Sequence, residues 1–198
     1  LAPDNPAFNT AHALWIDGPL DVDAFVRAAE QAAAEAPALS LRMRDTADGP
    51  RMGVDPEHLP PLEVVDLSHM DAPERAARAA MARDRDTPVD PTRDRLALQR
   101  LYALGDQRFV WYLRVHHLAT DGYGMALLTE RVLALYGAAC SGADAGAPFA
   151  ALEGVIAEDA TYAASEKCSK DAAYWRETLA GMPAVSGLGA GFAPAAHG

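Results

Sequence analysis

The strongest constraint on the fold comes from residues 96–137. Two apolar runs of strand-forming residues, 96–104 and 109–117, are separated by the segment GDQR, and this spacing predicts a β-hairpin. After Gly122, apolar residues recur at helical intervals until Gly137, which is the expected stop. A hairpin that leads through a short turn into a helix predicts a layer of mixed sheet packed against helices.

The rest of the chain alternates between strand and helix patterns. Asp21 is the expected cap of an amphipathic helix that Pro37 ends. The last third is helical in pattern, with an interruption expected near Ser169. The other predicted elements are strands at 11–17 and 62–66, a hairpin at 39–54 and a helix at 73–85. The predicted fold class is therefore α/β, with a mixed sheet flanked by helices in an α+β sandwich.

The net charge of the chain limits the kinds of molecule that it can bind. The chain has 198 residues and a formal net charge of -11, so a nucleic acid or an anionic membrane would repel it at neutral pH. Neither a signal-peptide pattern nor an apolar run long enough to span a bilayer occurs, which favours a cytoplasmic protein. Cys140 and Cys168 lack CxxC spacing and a companion histidine cluster, so free thiols are expected rather than a disulfide or a zinc site.

The two ends of the chain indicate a piece of a longer polypeptide. It begins at Leu1 without an initiator Met. Residues 182–198 are rich in Gly, Ala and Pro, which is typical of a linker. We therefore expect one folded region over residues 1–181 and a linker or disordered tail over residues 182–198.

The stretch VHHLATDGYG, residues 115–124, contains the residues best suited to chemistry. Side chains alternate along a strand, so His117 is expected on the more apolar face and His116 on the opposite face. Partial desolvation should then lower the pKa of His117 and leave a neutral imidazole that can accept a proton. Asp121 could cap the following helix or pair with a cation from elsewhere in the chain. Gly122 leaves room for a substrate, and its N–H is a candidate oxyanion contact near a helix N-terminus.

Two other interpretations of this stretch stay open. A histidine pair at the end of a strand also occurs as core packing, and an Asp-Gly pair after it also occurs as a plain helix entry. Histidine and aspartate are metal ligands as well, but the opposed directions of the two rings and the lack of a third ligand nearby argue against a metal site. Elsewhere the sequence has no GxSxG, P-loop, GxGxxG or HExxH motif.

The pattern HHxxxDG, formed by His116, His117, Asp121 and Gly122, resembles the signature of the condensation domains of nonribosomal peptide synthetases. These domains share a superfamily with chloramphenicol acetyltransferase. Four further segments resemble blocks of the family in the expected order: AFNTAHALWIDGPLDVDAFVRAA, PALSLRMR, TPVDPTRDRLALQRLYAL and AYWRETLAG. The resemblance therefore covers most of residues 6–181.

The resemblance implies a fold of two chloramphenicol-acetyltransferase-like lobes arranged in a V, of which this chain is the N-terminal lobe. The DFGWG motif of the second lobe does not occur in the sequence, so the C-terminal lobe is expected to be absent from the chain and the isolated lobe to be inactive. A second departure lies before the LRMR segment, where EAPALS replaces the usual Arg-His pair of the family.

The implied activity is amide bond formation, an acyltransferase-type reaction. The amine of an acceptor aminoacyl thioester attacks a donor acyl or peptidyl thioester, and both are carried on phosphopantetheine arms of carrier proteins. The resemblance implies no directly bound cofactor. It implies donor and acceptor carrier proteins, the C-terminal lobe and an adenylation domain as partners. Two alternatives are a non-catalytic module that binds carrier proteins and a stand-alone acyltransferase that completes its sites in a trimer.

The resemblance also assigns roles near the reacting atoms. His117 would orient or deprotonate the attacking amine and steady the tetrahedral intermediate, while Gly122 would give backbone room beside it. Tyr123 stands where many members have Trp or Phe. The resulting DGYG variant is similar to domains of siderophore and lipopeptide assembly lines that accept aryl or acyl donors.

The remaining motif residues are structural by the same resemblance. His116 corresponds to the first motif histidine, which is mainly architectural. Asp121 is expected to form an ion pair with an arginine of the LRMR segment. Arg42 is the best match for that partner and Arg44 is the second choice.

Overall fold

A computed structural model of the chain describes residues 5–182. These residues divide into two compact units, with the boundary between Ala150 and Ala151. The strands are β1 (Asn9–Asp17), β2 (Leu41–Thr46), β3 (Gly49–Val54), β4 (Leu62–Asp66), β5 (Ala97–Gly105) and β6 (Arg108–His116). The α-helices are α1 (Val22–Glu35), α2 (Pro73–Arg85), α3 (Gly122–Ser141), α4 (Leu152–Ala163) and α5 (Glu166–Leu179).

The first unit is built on a four-stranded sheet in the order β1-β6-β5-β4. Its pairs are antiparallel except for β4 and β5, which run parallel. The β5–β6 hairpin turns at Asp106 and Gln107, whose φ angles of 52° and 55° are those of a tight hairpin turn. Strands β2 and β3 form a separate two-stranded sheet. The mixed sheet flanked by helices that the sequence predicts is thus confirmed.

The two faces of β6 pack against different helices because side chains alternate along a strand. Trp111, Leu113 and Val115 lie in a core with the buried faces of α1 and α3. Val110 and Tyr112 lie in a second, smaller core with α2. The central strand is therefore buried on both sides, and its carboxyl end is held firmly where the chain turns into α3.

Helix α3 is longer than the sequence predicts. It continues through Gly137 to Ser141 and ends at Gly142, which adopts the left-handed conformation with φ 74°. A Cβ at Gly137 would meet nothing within 4 Å, while Val132 and Leu135 before it are buried. The packing of those side chains holds the helix together past Gly137, and the stop falls where the backbone needs a positive φ.

The second unit is described here from residue 151 to residue 182. Its helical pattern is interrupted between α4 and α5, at Ala164 and Ser165, rather than near Ser169. The Ser165 hydroxyl caps α5 by accepting a hydrogen bond from Cys168 N at 3.1 Å. None of the helices that the structure describes is both long and apolar enough to cross a membrane. Of the tail predicted over residues 182–198, positions 183–198 lie outside the described residues.

Candidate active site at the histidine turn

The two histidines lie at the carboxyl end of β6, where backbone hydrogen bonds fix the start of a turn. His116 is the last paired residue of β6, opposite Asn9 of β1, and its N–H donates to Leu96 O at 2.7 Å. The next N–H, that of His117, donates to Phe8 O at 2.8 Å. Backbone on both sides of β6 therefore fixes where the turn begins.

His116 is buried and serves the architecture of the turn. Its side chain is on the α2 side of the sheet, and Leu118 N donates to its Nδ1 at 3.2 Å. Because Nδ1 accepts this bond, the proton of the neutral ring is on Nε2. Burial lowers the pKa of His116, and the positive charges of Arg114 and His117 lower it further. The ring is thus held neutral as an acceptor for the turn.

His117 is exposed, so the expected partial burial of this ring is wrong. The expectation extended the alternation of a strand by one residue too many. The ladder ends at the pair of Asn9 and His116, and beyond it the side-chain direction follows the turn. The buried ring of the pair is His116, and burial lowers the pKa of that residue.

A hydrogen bond orients the His117 ring. Its Nδ1 lies 3.1 Å from Thr120 O. A carbonyl oxygen can only accept, so the neutral ring carries its proton on Nδ1 and leaves the Nε2 lone pair free. A neutral imidazole held in this tautomer can accept a proton at Nε2 from a group that approaches from outside.

Asp121 caps α3, which is one of the two roles that the residues themselves left open. Its Oδ1 accepts a hydrogen bond from Gly124 N at 2.8 Å, and its backbone oxygen accepts the first bond of the helix from Met125 N at 3.0 Å. A carboxylate at this position also meets the positive end of the helix dipole. The cap ties the turn that holds His117 to a helix packed in the core.

The expected ion pair between Asp121 and Arg42 is not formed, and the structure corrects this assignment. Arg42 pairs with Asp55 at 3.5 Å and donates to Thr92 O at 3.0 Å. Arg44 also pairs with Asp55, at 3.3 Å. Both arginines belong to β2, which is hydrogen-bonded only to β3 among the described strands, and Asp55 follows directly after β3. Asp55, which directly follows the hairpin, therefore pairs with both guanidinium groups.

The groups around Asp55 stabilise its negative charge. Desolvation by itself would raise the pKa of Asp55, but the N–H of Glu57 and the charges of His58, Arg42 and Arg44 outweigh it. The pKa of the carboxyl is therefore lowered. Asp55 stays ionised at neutral pH and anchors the β2–β3 hairpin.

Gly122 is the first residue of α3, and the space beside it is open. A Cβ at this position would meet nothing within 4 Å. Its φ is not positive, so a turn does not require glycine here. The N–H groups of Gly122 and Tyr123 precede the first intrahelical bond, as the first donors of any helix do. The expected backbone room is present, and two N–H donors lie at the helix end beside it.

Thr120 and Gly124 belong to the site, and the motif analysis missed both. Thr120 provides the carbonyl that orients His117. Gly124 provides the N–H that Asp121 caps, and a Cβ at Gly124 would overlap with Thr120 Oγ1. The one signal available in the sequence was the second glycine of DGYG, in the first turn of a helix where glycine is unfavourable without a local reason.

Within residues 5–182 no group of three His, Cys, Asp or Glu side chains is arranged to hold a metal ion. His116 already uses Nδ1 for Leu118 N, and His117 already uses Nδ1 for Thr120 O. The arrangement is suited to moving a proton and to accepting negative charge at the helix end.

Fold and site together define the class of protein. The family model described as Condensation domain matches residues 1–195. The chain belongs to the condensation domain family, and the HHxxxDG pattern that the turn displays is intact in it.

Relatives of known name agree with this assignment. A dimodular nonribosomal peptide synthase of Bacillus subtilis strain 168 is 36% identical over 189 residues, which are 95% of this chain and 8% of that protein. The isonitrile lipopeptide synthase of Streptomyces coeruleorubidus is 36% identical over 190 residues, which are 94% of this chain and 13% of that protein. The chain thus spans a small part of each curated relative.

Solved structures share the fold. The starter condensation domain of rhizomide synthetase RzmA matches with a TM-score of 0.82 and 33% identity over 89% of this chain and 43% of that chain. The first condensation domain of the CDA synthetase matches with a TM-score of 0.73 and 32% identity over 92% of this chain and 47% of that chain. The chain therefore spans less than half of either solved domain.

Proposed function

We propose that this chain forms one half of a condensation site that joins a donor acyl thioester to the amine of an acceptor aminoacyl thioester. The observation that carries the proposal is the hydrogen bond between His117 Nδ1 and Thr120 O at 3.1 Å, which leaves Nε2 free to act on the amine. Membership of the condensation domain family supplies the reaction class.

The reaction needs one proton acceptor and one place for negative charge. The amine nitrogen forms a C–N bond with the thioester carbon, and its proton passes to His117 Nε2. The tetrahedral intermediate then breaks its C–S bond, and the sulfur leaves as a thiol after taking the proton from the imidazolium. The open space and the free N–H groups at Gly122 are suited to the oxygen that becomes negative.

Positioning of the two reactants carries the larger share of the rate. A well-placed general base contributes about 10²- to 10⁴-fold. Two thioesters held in reacting geometry by their carrier proteins avoid an entropic barrier of roughly 7–11 kcal/mol at best. The role of His117 is then to orient the amine and take its proton, while the carriers bring the groups together.

The donor is proposed to be an acyl group at the start of an assembly line. The RzmA domain is a starter condensation domain that has been solved in complex with C8-CoA, and the Streptomyces relative is an isonitrile lipopeptide synthase. The DGYG variant at Tyr123, which is itself exposed, supports the same choice of donor.

The partners follow from the chemistry. Substrates reach the site as thioesters on phosphopantetheine arms of donor and acceptor carrier proteins, with an adenylation domain that activates the acceptor amino acid and a C-terminal lobe that completes the site. The cytoplasm, where carrier proteins are loaded, is the proposed location. The exposed His117 ring is available to such a second lobe.

The test compares amide formation in the full-length protein, with both carriers loaded, for the native sequence, His117→Ala and the control His69→Ala. His69 is an exposed histidine outside the turn. We expect His117→Ala to lose about 10²- to 10⁴-fold in rate, and His69→Ala to keep the native rate, because only the former removes the proton acceptor. Product is measured by mass spectrometry.

Two results would oppose the proposal. A His117→Ala protein that forms amide at the native rate removes the histidine from the chemistry. A native protein that binds both loaded carriers and forms no amide leaves the docking-module alternative in its place.

A further inference from the structure

Thr120 and Gly124 are in closer contact than any side chain at position 124 would permit. A Cβ built on Gly124 overlaps with Thr120 Oγ1, and it also lies 3.5 Å from both Thr120 Cβ and Asp121 Oδ1. The other two glycines of α3 differ, since a Cβ at Gly122 or Gly137 would meet nothing within 4 Å. The absence of a side chain is therefore a local requirement of position 124.

The same contact leads to the ring of His117. Thr120 O accepts the hydrogen bond from His117 Nδ1, so the backbone of Thr120 sets both the direction and the tautomer of that ring. Gly124 N is bonded to Asp121 Oδ1 at 2.8 Å, so the first turn of α3 cannot move away freely to make space. A side chain at position 124 must therefore rotate the Thr120 side chain or displace Thr120.

Thr120 has little freedom to accommodate such a change by rotation alone. It carries two heavy atoms on Cβ, so only one of its three staggered rotamers leaves the position of Oγ1 empty. Its Oγ1 also lies 3.4 Å from Asp121 O, a weak bond that this rotation would break. Two of the three rotamers keep a heavy atom in this position and the third breaks the bond to Asp121 O, so we expect part of the overlap to be relieved by a shift of the Thr120 backbone and its carbonyl.

We propose that Thr120 and Gly124 form a steric lock that positions His117. The missing side chain at position 124 leaves the space that the Thr120 hydroxyl occupies, so the Thr120 carbonyl stays on His117 Nδ1 without a steric clash. This keeps Nε2 unprotonated and directed outward. Both are positioning residues that act through His117. The consequence for the rate rests on the proposed function, whereas the consequence for the tautomer rests on the geometry alone.

The test uses three variants of the full-length protein: Gly124→Ala, the double variant Thr120→Ala with Gly124→Ala, and the control Gly137→Ala. The first introduces the overlap, and the second removes Oγ1 so that the new methyl group fits. The control adds the same methyl group to the same helix where the space is open. All three are checked for native thermal unfolding before use.

The first readout is the ¹⁵N spectrum of the histidine rings, in which the His117 signals are identified by their loss in His117→Ala. We expect the native protein, the control and the double variant to show His117 protonated on Nδ1. Gly124→Ala should shift His117 towards the tautomer protonated on Nε2. An unchanged spectrum in a folded Gly124→Ala protein would overturn the proposal, because the Thr120 side chain would then have rotated without any movement of its carbonyl.

The second readout is amide formation, measured as kcat and KM separately. A misplacement of about 1 Å costs about 100-fold, so Gly124→Ala should lower kcat by up to that factor with little change in KM. The double variant should recover most of kcat. A double variant as impaired as Gly124→Ala would also contradict the lock. A native protein without amide activity would remove the proposed function and leave the ring spectra as the decisive test of the lock.

Discussion

His116 and His117 are neighbours in the chain and have opposite environments. His116 is buried and accepts from Leu118 N, which holds the turn together, while His117 is exposed and donates from Nδ1 to Thr120 O. Each ring thereby carries its proton on a different nitrogen. The Nδ1 lone pair of His116 accepts a hydrogen bond within the turn, whereas the Nε2 lone pair of His117 is free.

At the scale of single residues, Asp121 offers a test that separates a cap from an ion pair. Asp121→Ala removes the acceptor for Gly124 N and should lower the free energy of unfolding by about 1 kcal/mol. Asp121→Asn keeps a good capping oxygen and should retain most of that stability. Urea unfolding of the two variants measures the difference. Equal losses for Ala and Asn would instead indicate that the charge matters, as the ion pair with Arg42 requires.

At the scale of elements, two buried ion pairs join helices to their neighbours. Arg131 of α3 pairs with Glu35 of α1 at 2.6 Å, and Arg114 of β6 pairs with Asp84 of α2 at 3.2 Å. Tyr112 also donates to Asp84, at 2.8 Å. These contacts fix the helices on either side of the sheet, and the position of α3 determines where the histidine turn lies.

Arg131→Met tests the contribution of the pair between α1 and α3. The side chains of Arg131 and Glu35 are 9% and 15% exposed. Loss of the arginine leaves a carboxylate poorly solvated, and because some solvent contact remains we expect a cost of about 2 kcal/mol, below that of a fully buried pair. Lys167→Met in the exposed pair with Asp171 is the matched control and should change stability very little. Chemical unfolding that shows equal losses in both variants would contradict this difference.

Most of the elements and the key residues of the site could be predicted from the sequence. Strand alternation and helical periodicity predicted all six strands and the starts of α1 to α4, because those patterns reflect local burial, while the start of α5 was expected several residues too late. The predicted end of α3 was wrong because core packing outweighs the low helix propensity of Gly137. The buried histidine was misassigned because the end of the ladder at Asn9 and His116 depends on a partner more than a hundred residues away. The predicted partner of Arg42 was wrong because Asp55, which directly follows the same hairpin, pairs with it in place of Asp121.

At the scale of the whole molecule, the desolvation of two histidines, half-buried His12 and buried His116, links stability to pH. Burial lowers the pKa of His12 and of His116 from the ordinary value of 6.5, so both rings stay neutral in the folded state at pH values where they are protonated in the unfolded chain. The unfolded state then binds more protons, and the free energy of unfolding falls as pH falls. Glu35, whose pKa is lowered from 4.5 mainly by its hydrogen bond with Arg131, adds a second loss below that value.

We therefore expect two separate losses of stability on acidification. The first begins near pH 6.5, where the unfolded histidines take up protons, and the second begins near pH 4.5, where the unfolded glutamate does. Urea unfolding as a function of pH measures both. The double variant His12→Gln with His116→Gln should remove the first loss and keep the second, whereas His69→Gln, which changes an exposed histidine, should keep both. A first loss that survives in the double variant would show that other groups cause it, and would mean that the rings of His12 and His116 are protonated as readily in the folded state as in the unfolded chain.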